Sequence, residues 1–104
     1  MARGIMLVQS KAASPGELEA FNTWYDQVHI PEILAVDGFV SARRFLAADG
    51  ETYFAVYEIE GDVNEAEANL TAARNAGKMT PPVGLQLDPP PGRHYLPEIG
   101  QFFA

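Results

Sequence analysis

The chain contains no cysteine, which excludes a disulfide framework, thiolate catalysis and any zinc site built on sulfur. It is also poor in cations: seven Lys and Arg stand against fourteen Asp and Glu, a formal net charge of −7 at pH 7. Phosphate backbones and anionic membrane surfaces are bound by clustered basic side chains, so neither nucleic acid nor a membrane is an expected partner. No run approaches the ~20 apolar residues of a membrane-spanning helix, and Met1-Ala2-Arg3-Gly4 does not have the form of a signal peptide. A cytoplasmic location is expected. No G-x-G-x-x-G, phosphate loop or G-x-S-x-G occurs, so nucleotide cofactors and a serine-hydrolase mechanism lack support. What the chain does have is apolar residues at 47% of 104 positions, enough for one compact core and too few for two. A single domain spanning residues 1–104 is expected.

Ile5-Met6-Leu7-Val8 is a continuous apolar run, too short for a helix, and reads as a strand buried on both faces. Ser14-Pro15-Gly16-Glu17 then announces a helix, with Ser14 as cap, Pro15 in the first turn and Glu17 completing an S-x-x-E capping box. Leu18, Phe21, Trp24, Tyr25 and Val28 fall within an arc of about 120° on that helix, with Asn22, Asp26 and His29 at or beyond one border. Pro31 cannot donate a hydrogen bond and biases Ile30 away from helical angles, so regular helix should stop near His29. Residues 32–36 could add one more turn. Residues 39–46 and 52–60 read as strands of a hairpin, joined through Asp49-Gly50. A second helix over residues 63–76 has Asp62 as its cap, Gly77 at its end and a weak stripe of Val63, Ala66, Leu70 and Ala73. Beyond Lys78, Pro81-Pro82 and Pro89-Pro90-Pro91 exclude helix, and residues 93–96 could form a fourth strand.

The order β-α-β-β-α-β is that of an α+β ferredoxin-like sandwich, a four-stranded antiparallel sheet with two helices on one face. Both faces of the hairpin strands are apolar, so a monomer would leave one sheet face wet. A homodimer pairing through the sheet faces about a two-fold axis is the simplest arrangement that covers it.

Trp24-Tyr25-Asp26-Gln27-Val28-His29-Ile30-Pro31-Glu32, followed by Gly38-Phe39 and Arg43-Arg44-Phe45, resembles the W-Y-x-x-x-H-x-P-E…GF-x-x-x-R-R-F signature of dimeric α+β barrel proteins. Within these, it is most similar to the EthD-like proteins, called after an ether-degradation cluster. The resemblance is sharpest over residues 21–60, and the proline-rich tail fits only loosely. It implies a dimeric barrel whose relatives include polyketide cyclases, cofactor-free monooxygenases, lactone isomerases, dehydratases and haem-binding enzymes. It also implies that the His of the H-x-P motif, here His29, faces a cavity and serves as an acid/base group.

An imidazole titrates near neutral pH, which suits His29 to moving a proton, and Asp26 one turn earlier could select its tautomer. Tyr25 could donate to a developing oxyanion. Read structurally instead, His29 caps the end of its helix, and Trp24 and Tyr25 belong to the core. Asn22 could orient a carbonyl or simply lie exposed. Arg43 and Arg44 alternate, so one faces each side of the sheet; an inward Arg43 could bind a carboxylate or enolate, or pair with Glu58. Glu32 favours the N-terminus of the short turn that follows Pro31. His94 lies near the dimer seam, where it could close the cavity from its far end or remain a surface residue. Asp26, His29 and Glu32 are spaced i, i+3, but Pro31 interrupts the helix that a metal site there would need, and no metal is expected.

These residues point to a small enzyme without cofactor, acting on a compact apolar, aromatic or polyketide-like molecule held between the sheet and the first helix. Cyclisation, dehydration, isomerisation and oxygenation of a substrate carbanion all fit. A non-catalytic homodimer that binds a small ligand is the alternative, and it expects a His29 satisfied by backbone. A haem protein held through His29 or His94 is a third reading.

Overall fold

The computed structural model describes residues 2–104. Four strands, β1 (Arg3–Ser10), β2 (Phe39–Leu46), β3 (Tyr53–Glu60) and β4 (Gly92–Pro97), form an antiparallel sheet in the order β2-β3-β1-β4. Between β1 and β2 runs a composite helical segment. It consists of a 3-10 turn (Pro15–Glu17), α1 (Leu18–Trp24), a π turn (Tyr25–His29) and α2 (Ile30–Leu34). Between β3 and β4 lies α3 (Val63–Asn75). The chain is thus α+β with an open four-stranded sheet, compatible with a ferredoxin-like fold.

The helices cover one face of the sheet. Met6 and Val8 of β1 and Ala55, Tyr57 and Ile59 of β3 are buried there with Phe21, Trp24 and Tyr25. From α3 come Val63, Ala66 and Leu70, the small stripe expected of that helix. The Asp62 carboxylate accepts the Asn64 N–H at 2.8 Å and so caps α3, while Gly77 ends it at φ 75°. At the start of the first helical segment the Ser14 hydroxyl donates to the Glu17 carboxylate at 3.1 Å, and no side chain accepts a backbone N–H. The two residues of the capping box meet, but through their side chains alone.

Three expectations are corrected. The β1 strand is not buried on both faces within one chain: Met6 and Val8 are buried, whereas Ile5 and Leu7 on the opposite face are half-exposed. Secondly, helix does not stop before Pro31. The π turn widens the backbone there, with the Ile30 N–H donating to the Tyr25 carbonyl. In a regular α-helix the proline ring would meet the carbonyl four residues back, and the wider turn relieves that contact. Ile30 therefore keeps helical angles (φ −60°, ψ −49°) directly ahead of a proline.

The third correction concerns β2. Its register against β3 shifts between Phe39 and Ser41, so one extra residue is accommodated at Val40. Side chains alternate with a period of two, and one inserted residue inverts every face beyond it. Phe39 is buried, yet Phe45 is 46% exposed although it has the same parity. From Ser41 onward it is Ala42 and Arg44 that point under the helices, opposite Tyr57 and Ala55. Arg43 and Phe45 face the open side, opposite Val56 and Phe54.

Candidate functional site

Between the helical face of the sheet and the composite helix lies a cavity of about 310 Å³. Its walls come from four parts of the chain. Val8 and Ser10 of β1 form the floor together with Arg93, which pairs with Val8 across the β1–β4 ladder. Trp24, Tyr25 and His29 line one side and Leu70 and Arg74 of α3 another. The proline-rich segment forms the remaining wall, through Met79, Thr80, Pro81, Pro82, Leu85 and Pro91, and leaves the cavity partly open.

The π turn is what brings His29 to this wall. At 3.6 residues per turn, residues five apart are about 140° away from each other round a helix and do not meet. A turn that closes from i to i+5 returns the fifth residue almost over the first. His29 accordingly stacks on Trp24, with ring centroids 4.5 Å apart at 23°, and meets the edge of Tyr25 at 5.0 Å. Its ring is held by packing. Nδ1 of His29, Nε1 of Trp24 and the hydroxyl of Tyr25 are all buried without a hydrogen-bond partner.

Burial, aided by the nearby Arg93 and Arg74 guanidiniums and opposed by Glu32, holds the His29 pKa down to about 4. His29 is therefore neutral near pH 7, with a lone pair available. Burial also raises the pKa of Tyr25, partly offset by its neighbours Tyr57 and Arg44. The hydroxyls of Tyr25 and Tyr57 are buried close neighbours, with Ser10 beside Tyr25.

Asp26 does not orient His29. Its carboxylate accepts a hydrogen bond from Arg44 Nη1 at 2.8 Å, and the Arg44 guanidinium lies over the Tyr25 ring at 4.4 Å. The inward arginine of the pair is thus Arg44, and it supports Tyr25 from the side away from the cavity wall. Arg43 lies on the open sheet face, 5.5 Å from the Phe45 ring, because of the bulge at Val40. Asn22 is half-buried on α1 and does not line the cavity. His94 pairs with Leu7 and shares its open face, so it too points away from the cavity. Of the seven residues singled out in the sequence, three (Trp24, Tyr25 and His29) come together in the wall.

Glu32 does not serve the turn that follows it. Its two carboxylate oxygens accept the Thr80 N–H at 2.9 Å and the Thr80 hydroxyl at 2.6 Å. This clamp fastens the proline-rich segment against the cavity and holds the Glu32 pKa below its ordinary value. The other end of the segment is tied by Ala13 N–H to Gly84 O at 2.7 Å and by Gln86 N–H to Lys11 O at 2.9 Å. Gly84 has φ +67°, and a side chain there would come 2.9 Å from the Glu17 carbonyl. With Asp26 on Arg44 and Glu32 on Thr80, the i, i+3 trio has no common focus. Among the described residues no three His, Asp or Glu side chains converge as metal ligands.

Arg74, Arg93 and the wall of residues 79–91 were not marked as functional by the sequence reading. Arg74 looks like an ordinary charge in the last turn of a helix, and Arg93 like one outward residue of an edge strand. Only the pairing of Arg93 with inward-facing Val8 shows on which side it lies. Compared with known proteins, the chain matches no protein-family model, no curated protein and no solved structure. Among the described residues no helix is long and apolar enough to cross a membrane.

Proposed function

We propose that this protein is a small enzyme that moves a proton on a compact organic molecule bound in the cavity, without a cofactor. One observation carries the reading: a neutral imidazole that lines the cavity, held there by its stack on Trp24 while the Asp26 carboxylate is engaged by Arg44. His29 would accept a proton from a carbon or oxygen acid of the substrate, and the electron pair would pass to the substrate's carbonyl oxygen. Return of the proton at another position gives isomerisation; loss of a leaving group gives dehydration; attack within the molecule gives cyclisation. A carbanion formed in the same way could meet dioxygen. Tyr25 stands in the same wall, 5.0 Å from the His29 ring, and in this reading its hydroxyl donates to the developing oxyanion. The resemblance of residues 24–45 to EthD-like proteins supports the same assignment of His29.

The working unit in this reading is a homodimer of the dimeric α+β barrel type. The open sheet face presents Ile5, Leu7, Phe45, Phe54, Val56 and Leu96, with Phe45 46% and Leu96 42% exposed. A second copy of the same face would cover it.

Exchange of substrate-like carbon acids with D2O tests the chemistry. Small ketones and phenols that bind should incorporate deuterium faster with the protein than in buffer alone, and His29→Gln should abolish the difference. An undiminished exchange rate in the variant would remove His29 from the reaction.

A further inference from the structure

The cavity combines a mostly apolar lining with charge of one sign. Among the described residues, Arg74 and Arg93 are the only Lys, Arg, Asp or Glu side chains that line it. Among the described residues neither Arg74 nor Arg93 forms an ion pair, so both guanidiniums are available to a ligand. Burial is the main cause that lowers the pKa of Arg74 and of His29, and Arg93 is close enough to both to add to it. Both arginines are exposed at the edge of the cavity, and an anion there would be attracted by both guanidiniums. Trp24 and Tyr25, only 5% and 2% exposed, form the wall beside them. The remaining lining is flat or aliphatic: the Trp24 ring, Val8, Leu70, Leu85 and the prolines.

We propose that the cavity binds a small carboxylate carried on a flat apolar body, with Arg74 and Arg93 holding the carboxylate and the body lying against Trp24 and the proline wall. This rests on the proton-transfer reading and specifies its substrate class. Guanidinium forks match a carboxylate in shape and charge. The volume of about 310 Å³ is at the small end of the roughly 300–1,000 Å³ usual for small-molecule sites, which suits a single-ring acid.

The arrangement also gives the ligand a second task. Charged groups act on His29 from three elements: Arg93 from β4, Arg74 from α3 and Glu32 from α2, with the Tyr25 ring against its edge. A bound carboxylate neutralises the two arginines, so the imidazole becomes a stronger base when the substrate is in place. By linkage, carboxylate affinity rises as His29 takes up a proton.

The test uses the full chain, whose single tryptophan is Trp24, so that intrinsic fluorescence reports on the cavity wall. Benzoate, phenylacetate and cinnamate are titrated beside their neutral amides and beside inorganic phosphate, and the His29 imidazole is followed by NMR. The acids should bind, the amides and phosphate should bind far more weakly, and only the acids should raise the His29 pKa. Arg74→Gln and Arg93→Gln, both at exposed positions, should each weaken acid binding by about tenfold or more, whereas Arg3→Gln should leave it unchanged. Amides binding as well as acids, or wild-type acid affinity in both arginine variants, would overturn the carboxylate assignment while leaving a His29 response to stand for the proton-transfer reading. Phosphate binding as tightly as benzoate would make this an anion site without a role for the apolar body, and also overturns it. If no compound moves Trp24 or His29 at millimolar concentration, the carboxylate proposal fails, and absence of deuterium exchange then removes the reading beneath it.

Discussion

At the scale of single residues, burial and neighbouring charge give His29 properties that differ from those of a free imidazole. Its pKa is about 4 in the folded chain against 6.5 when unfolded, so the unfolded state takes up the proton first as pH falls. Stability from this group is fully present above pH 6.5 and is lost progressively as pH falls to about 4. The total is on the order of 1–3 kcal/mol. Urea unfolding of the wild type and of His29→Phe across that window should diverge, the wild type losing more stability toward acid. Parallel curves would mean that His29 is solvated and titrates normally. That His29 faces a cavity was an expectation of the family resemblance alone, since its place near the helix end equally suited a cap. Its partners were not legible: Asp26 was the natural choice by spacing, but Arg44 reaches it across from the sheet and takes the carboxylate.

At the scale of elements, two departures from regular geometry build the site. The π turn carries the helix into Pro31 and lays His29 on Trp24, and the bulge at Val40 decides that Arg44 rather than Arg43 turns inward. Neither leaves a clear mark in residue type. Pro31 signals a break in ordinary helix, and nothing in Phe39-Val40-Ser41 signals an extra residue. The elements themselves were legible because their punctuation is local. Asp62 is one example, and Asp62→Ala should cost about 1 kcal/mol by denaturant unfolding, since it frees the cap of α3. The clamp of Glu32 on Thr80 is a contact between distant segments, and it has a pH dependence of its own. Because the Glu32 pKa lies below its ordinary 4.5, the clamp is intact above that value and weakens as pH falls through the folded pKa. Glu32→Ala should speed amide hydrogen exchange at Thr80 and the segment around it, with little change in the unfolding midpoint. Unchanged exchange at Thr80 would show that the ties at Gly84 and Gln86 suffice.

At the scale of the whole molecule, one chain leaves apolar surface uncovered. Besides the open sheet face, Ile99, Phe102 and Phe103 are almost fully exposed, Phe102 at 92%. The radius of gyration is 14.2 Å, larger than the roughly 13 Å of a compact chain of this length. A dimer through the sheet face accounts for the first feature and offers a surface on which the tail can dock. Light scattering at micromolar concentration should give twice the chain mass, and Phe45→Glu, on the open face of edge strand β2 and outside the core, should give the monomer with its secondary structure intact. A wild-type monomer at that concentration would leave the sheet face without its proposed cover.

Period-two and period-3.6 patterns, caps and turn residues act over a few positions, and so the sequence by itself determined the β-α-β-β-α-β order, the strand β2 to the residue and the stripe of α3. The exclusions drawn from having no cysteine and few cations rest likewise on composition alone. Which side of a sheet a residue faces depends on ladder register, and which charges meet depends on elements far apart in the chain. Tertiary structure alone therefore decided that Arg93 and Arg74 share a cavity, that the proline-rich segment forms one of its walls, and that the imidazole of His29 stacks on Trp24 there.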